Sequence, residues 1–166
     1  MLTVEFANGS VMLNGALLIL PAERGALVQI IGEPSRVSHT QYNSILTWDD
    51  DGIFAYQIPE NEQLRSFAVA IDREGYNFSP KNIFPGLLSV EGAVVTRNST
   101  VSSINDAISL KAFVAQEDED EDDDIVFWEL ASKDCILYLT TKGAAKQLTT
   151  LNLDMKEEED EFEDIQ

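Results

Sequence analysis

The chain has 166 residues, a formal net charge of -19 and 44% hydrophobic residues. That is enough apolar material to bury a core. The charge argues against direct binding to nucleic acid, whose phosphates it repels, and to an anionic membrane surface. It favours a basic protein partner, a cation, or plain solubility.

Taken in order, the chain opens on Met1-Leu2-Thr3-Val4-Glu5-Phe6, which reads as a first strand and not as a basic, apolar leader. Asn8-Gly9 and Asn14-Gly15 suit two-residue hairpin turns, because a type I′ turn needs positive φ at both positions. A helix is expected after Pro21, with Leu27, Ile30 and Ile31 on one apolar face and Gly32-Glu33-Pro34 ending it. Ser35 to Asn43 reads as a loop. Strands are expected at 44–48, 53–58 and 65–72. Asp50-Asp51-Gly52 provides the turn between the first two.

The pattern then repeats. With a shift of 77 residues, Val11-Met12-Leu13-Asn14-Gly15 lies over Leu88-Ser89-Val90-Glu91-Gly92, and Leu27 and Ile31 lie over Ile104 and Ile108. Ser99 or Thr100 is the expected N-cap of a second helix whose apolar stripe is Val101, Ile104, Ala107 and Ile108. Strands follow at 125–130, 135–141 and 147–154. Trp48 falls over Trp128, Ile53 over Cys135 and Tyr56 over Tyr138, while Ser66–Asp72 falls over Leu148–Asp154. The fold expected is α+β and mostly β: a tandem repeat of a β-hairpin, a helix and three antiparallel strands. The first repeat spans 1–75, a linker 76–86 and the second repeat 87–155 with an acidic loop at 116–124. Residues 156–166 form an acidic tail expected to be disordered.

Half of the 30 carboxylates lie in two tracts. Glu117, Asp118, Glu119, Asp120, Glu121, Asp122, Asp123 and Asp124 are consecutive, and Glu157 to Asp164 is acidic except for Phe162. Without these tracts the formal charge is -4. Blocks of like charge repel themselves and seldom pack. They serve solubility or the electrostatic capture of a basic partner. Counted from Asp118, acids occupy positions 1, 3, 5 and 12 of a calcium loop. The glycine needed at position 6 is Asp123, so only weak, nonspecific binding of divalent cations is expected.

No constellation for catalysis stands out. His39 is the lone histidine, in a polar stretch with no serine or cysteine elbow nearby. Cys135 is the lone cysteine and reads as core packing; together they cannot make a zinc site. No glycine spacing fits a phosphate cradle. No cofactor is expected, and a single cysteine fits a reducing, cytoplasmic setting. Asn98-Ser99-Thr100 has the form of a glycosylation sequon but is better used as a helix cap. Trp48 with Asp49, Asp50 and Asp51 is the more distinctive box. An aromatic anchor beside acids is what a basic protein partner would need.

Two resemblances follow from these residues. A helix ending in Gly32-Glu33-Pro34 and feeding a strand with Trp48 resembles the β-lactamase-inhibitor-protein fold and the related outer-membrane assembly lipoproteins. That inhibitor is itself a tandem of two α/β units. The chain lacks the disulfide-forming cysteines of those families. Over roughly 11–110, the run Gly32-Glu33-Pro34, Trp48-Asp49-Asp50-Asp51-Gly52-Ile53-Phe54-Ala55-Tyr56 and Phe84-Pro85-Gly86 is similar to small uncharacterised bacterial proteins. These look like the acidic immunity partners of secreted toxins. The resemblance implies a noncatalytic protein that occludes a basic toxin or enzyme; the acidic features in which the two repeats differ, Trp48 with Asp49–Asp51 and the loop Glu117–Asp124, are the partner-binding residues expected from the sequence itself. A scaffold whose acids only keep it soluble, or an enzyme with an unrecognised carboxylate site, are the alternatives.

Overall fold

The computed structural model describes residues 1–73, 79–108, 111–116 and 124–156. The tract Glu117 to Asp123 and the tail 157–166 therefore lie outside the described residues. Of the described residues 48% are strand and 11% helix. The chain runs β1 Thr3–Ala7, β2 Ser10–Leu13, β3 Ala16–Leu18, β4 Ala22–Glu23, α1 Arg24–Ile31, β5 Arg36–His39, β6 Ser44–Trp48, β7 Ile53–Gln57, β8 Gln63–Leu64 and β9 Ser66–Ala70. It continues with β10 Leu87–Val90, β11 Ala93–Val95, α2 Val101–Ile108, β12 Val114–Ala115, β13 Ile125–Ala131, β14 Cys135–Lys142 and β15 Gln147–Met155.

Two sheets form among the described residues. The smaller has the order β11-β10-β1-β2-β3, with β1 antiparallel to β2 and parallel to β10. The larger runs β12-β13-β14-β15-β9-β7-β6-β5, with β4 and β8 paired beside it. Its seam is the antiparallel pair β9–β15, where Val69 faces Leu151. From there the register carries a row of apolar residues both ways: Ile53 and Trp48 on one side, Leu139 and Trp128 on the other. Five of these six side chains are buried, and Trp128 packs against the core. This row faces the small sheet, as Phe6 against Phe67 at 6.1 Å between ring centroids attests. Val4, Val11, Leu13 and Val90 complete the facing layer, with Leu27 and Ile104 brought in by the two helices. Burying such side chains is the main force that holds the sheets together, at about 1.5–3 kcal/mol each.

Several local expectations need correction. The helix α1 starts at Arg24, not next to Pro21, because Ala22 and Glu23 are extended and paired with Leu64 and Gln63. Ser35–Asn43 is not all loop: Arg36–His39 forms β5 against β6, so His39 lies on a strand, with its Nδ1 2.9 Å from the Ser44 hydroxyl. Ala107 is exposed, so the buried stripe of α2 is Val101, Ile104 and Ile108. The ladder places Leu139, and not Cys135, in the place that Ile53 holds beside its tryptophan. The offset arises because the second hairpin is longer: Trp128 and its partner Leu139 are 11 positions apart, Trp48 and Ile53 only 5.

The turns and caps follow the local chemistry. Asn14 and Gly15 have φ of 49° and 83°. Gly32 closes α1 with φ 85° and donates its N–H to the Val28 carbonyl. At the start of α2 the Thr100 hydroxyl accepts from the Ser103 N–H at 3.0 Å.

Candidate functional site

The inner face of the large sheet is used up by the core, so a site must be sought on its outer face. There the alternate residues of the same strands emerge. Across the sheet they run Thr47, Phe54, Ala68, Asn152, Tyr138 and Glu129. One neighbouring row carries Thr150, Thr140 and Phe127. On the other side Asp154 faces Ile136. Of these, Phe54, Asn152, Tyr138, Thr150, Thr140, Phe127 and Asp154 line a cleft of about 460 Å³, while Thr47 and Ala68 are buried.

Four aromatic rings define its character: Phe54, Tyr56, Phe127 and Tyr138. Phe54 and Tyr56 meet edge to face with centroids 6.3 Å apart. Phe127 is 41% exposed, a large apolar surface for a residue that packs on nothing in the core. Polar groups sit between the rings. The Asn152 side-chain oxygen is buried with no hydrogen-bond donor among the described residues. Asp154 is 32% exposed and has the Arg65 Nε 3.8 Å away. Thr140, Thr149 and Thr150 add hydroxyls, and Lys142 closes the far end.

The acidic tract is joined to this cleft at both ends. Gln116, the residue before it, lines the cleft and donates its N–H to the Phe127 carbonyl at 2.8 Å. The Gln116 amide also bonds to Glu129. Asp124, the last acid, is exposed and accepts from the Gly143 N–H, and the next residue, Ile125, lines the cleft again. Seven further carboxylates, Glu117 to Asp123, are thus tethered in sequence to its rim.

The box singled out from the sequence sits elsewhere. Trp48 is 2% exposed, and its indole N–H donates to the Gly32 carbonyl at 2.9 Å, tying β6 to the end of α1. Asp49 is 7% exposed. It accepts from the Arg36 Nε and Nη2, each at 3.2 Å, and from the Lys81 N–H at 2.9 Å. Burial alone would raise its pKa; the Arg36 and Lys81 hydrogen bonds and charges outweigh that and hold it below the usual value. Neither side chain is presented to a partner here. Both hold the strand and the segment 79–82 in place. Asp50 is exposed and Asp51 partly so, in the turn that Gly52 closes with φ 64°. The structure brings neither box nor turn to the cleft.

Cys135 lies at 2% exposure under the sheet. Burial pushes its thiol pKa up, and the charges of Asp134 and Asp154 add to this against Lys156. Among the described residues no three His, Cys, Asp or Glu side chains converge as a metal site. No helix among them is long and apolar enough to cross a membrane.

Sequence reasoning missed the cleft. Its aromatic residues stand in strands whose two phases are both apolar: Phe54 and Tyr56 alternate with Ile53 and Ala55, Phe127 precedes Trp128, and Tyr138 lies between Leu137 and Leu139.

The fold and cleft define a mostly β, two-sheet protein with an aromatic-lined cleft on the outer face of the larger sheet. Residues 3–105 match the model of a family described as a domain of unknown function (DUF7738), and the chain belongs to that family. The match ends within α2, so it takes in Phe54 and Tyr56 but not the cleft residues from 116 onward. No curated protein matches the chain. Among solved structures it is similar to a DUF4309 family protein (YjgB) from Bacillus subtilis, at 10% identity and a TM-score of 0.49, covering 83% of this chain and 81% of that one. It is also similar to an extracellular protein containing a SCP domain from Bacillus anthracis, at 10% identity and a TM-score of 0.43, covering 81% of this chain and 43% of that one. Likenesses this distant carry no argument about function.

Proposed function

We propose that this chain is a noncatalytic acidic binding protein that occludes a basic protein, as an immunity protein or inhibitor would. The observation that carries the reading is the cleft on the outer sheet face, aromatic within and joined at its rim to the acidic tract. Aromatic residues in a partly open cleft supply affinity through desolvated contact. A dense negative charge tethered beside it steers a cationic partner and speeds encounter more than it tightens the complex. Recognition thus divides into two parts: Phe127, Tyr138, Phe54 and Tyr56 grip, and the acids attract.

The test is capture from the native cell extract at low salt with tagged chain, run in parallel with a Phe127→Asp variant. Phe127 faces outward, so its loss leaves the core alone. A basic protein held by the wild type and lost by the variant is the expected result. A basic protein held equally by both, or none held by the wild type, overturns the reading.

We further propose that the chain is a tandem duplication of one hairpin, helix and sheet unit. The order of the large sheet supports this, since β12-β13-β14-β15 and β9-β7-β6-β5 meet at the seam as two runs of like succession. The helices begin 77 residues apart and end 77 residues apart. Asn14 and Glu91 share φ of 49° and 48°, and Gly15 and Gly92 share 83° and 84°. Val69 pairs with Leu151, its own counterpart in the closing strands, as a two-fold relation between the halves requires.

A further inference from the structure

We infer that the cleft seats the guanidinium of an arginine from the basic partner, at the end formed by Tyr56, Tyr138, Asn152 and Asp154. This rests on the binding reading above and names the group recognised. Three observations lead to it. The first is the acceptors. Asp154 and Asn152 lie two residues apart on one face of β15, and both line the cleft. The Asp154 side chain is one-third exposed; its Oδ1 is buried, with the Arg65 Nε 3.8 Å away. The Asn152 oxygen has no donor among the described residues, and half a turn of that amide exchanges its oxygen and nitrogen without changing its shape. An arginine could then donate to both groups at once.

The second is the rings. Tyr138 is the direct cross-strand neighbour of Asn152, and Tyr56 lies on β7 beside its ring partner Phe54. A planar guanidinium stacks on such faces while its in-plane N–H groups stay directed at a carboxylate and an amide; the ammonium of lysine is a point charge and cannot do both. The molecule already uses related contacts: the Arg65 guanidinium approaches Asp154 at 3.8 Å, and Lys146 lies 5.4 Å from the centre of the Trp128 ring.

The third is charge. Glu129 stands beside Tyr138 in the same row, and the acidic tract begins and ends at the rim. Lys142, the one cation lining the cleft among the described residues, is at the far end. It stands six positions along β14 from Ile136, the partner of Asp154, or about 20 Å of strand.

The experiment uses the full chain labelled with nitrogen-15 and three blocked tripeptides, acetyl-Gly-X-Gly-amide, with X arginine, lysine or citrulline. Citrulline keeps the shape of arginine and removes its charge. The arginine peptide should give saturable shifts at the Asn152 side-chain amide and at Tyr138, with about tenfold weaker binding for lysine and none resolved for citrulline. Asp154→Asn should weaken the arginine peptide by about tenfold, and its spectrum otherwise reports whether the fold is kept. Equal binding of citrulline, or shifts confined to Asp124 and the acidic tract, overturns the inference. If the peptides fail while Phe127→Asp still abolishes partner capture, the binding reading stands and the guanidinium assignment falls. If the peptides bind and capture fails, the reverse holds.

Discussion

Replacing Asp49 by alanine separates a structural acid from a recognition acid. The carboxylate is 7% exposed and accepts two hydrogen bonds from Arg36 and one from the Lys81 N–H. A buried ion pair broken on one side costs about 3–5 kcal/mol. Arg36 is 32% exposed on its side chain and keeps its bond to the Ser79 carbonyl, and Lys81 is open to water. The cost therefore falls to about 2–3 kcal/mol, or a drop in Tm of about 4–12 °C for a chain of this length. Urea titration followed by tryptophan fluorescence measures it directly. Asp49→Asn, which keeps an acceptor for Lys81, should cost about half as much. Acid titrates the same contact. The Asp49 pKa is lowered from 3.8 in the folded protein. Its contribution is thus complete above that value and is lost as pH falls through the lowered one. The gap between wild type and Asp49→Asn should be flat at neutral pH and close below about pH 4. A cost under about 0.5 kcal/mol for Asp49→Ala, the range of ordinary surface changes, or a gap that widens in acid, would refute this account.

Other positions give sharp expectations. Gly52 has φ 64°, and a Cβ there would strike the Phe84 backbone. Gly52→Ala should therefore cost about 2–4 kcal/mol in urea, and a cost below about 1 kcal/mol would show that the turn can shift. Leu151→Ala, at the centre of the apolar row with no exposed surface, should cost about 3–5 kcal/mol. Phe127→Ala should stay within about 0.5 kcal/mol of wild type, since its ring lies outside the core; a core-sized loss would remove the outer face from consideration as a surface. Cys135 should react with a thiol reagent at pH 8 only as fast as the protein unfolds, and labelling at the rate of an unfolded control would contradict its burial.

Much of the fold was legible where local chemistry decides it. Asn14-Gly15 could only turn with positive φ, and Leu27 and Ile104 could only mark the inner faces of short helices. The strand ends came within one or two residues for the same reason. What was not legible depends on partners distant in the chain. Nothing local says that β1 lies parallel to β10, or that β9 rather than an edge meets β15. β5 and β12 are short and owe their extension to pairing with β6 and β13. The cleft was hidden by the same limit. In Ile53-Phe54-Ala55-Tyr56 both phases are apolar, so the sequence cannot say which faces the core. Trp48 and Asp49 misled in the opposite direction: a ring beside an acid looks like a surface for binding, yet Gly32 and Arg36 satisfy both inside the protein.

The β9–β15 seam has a consequence for how this chain comes to be folded. Val69 and its partner Leu151 are 82 positions apart, and β1 waits as long for β10. A growing chain that has emerged as far as β9 carries an open sheet edge with no strand to meet it. Closure must await nearly the last residues of β15, and so long a separation between paired strands makes folding slow. The same geometry implies complementation. Two fragments divided between Asp72 and Leu87, produced together, carry matching edges and should assemble into one sheet, whereas either alone would seek the edge of another copy.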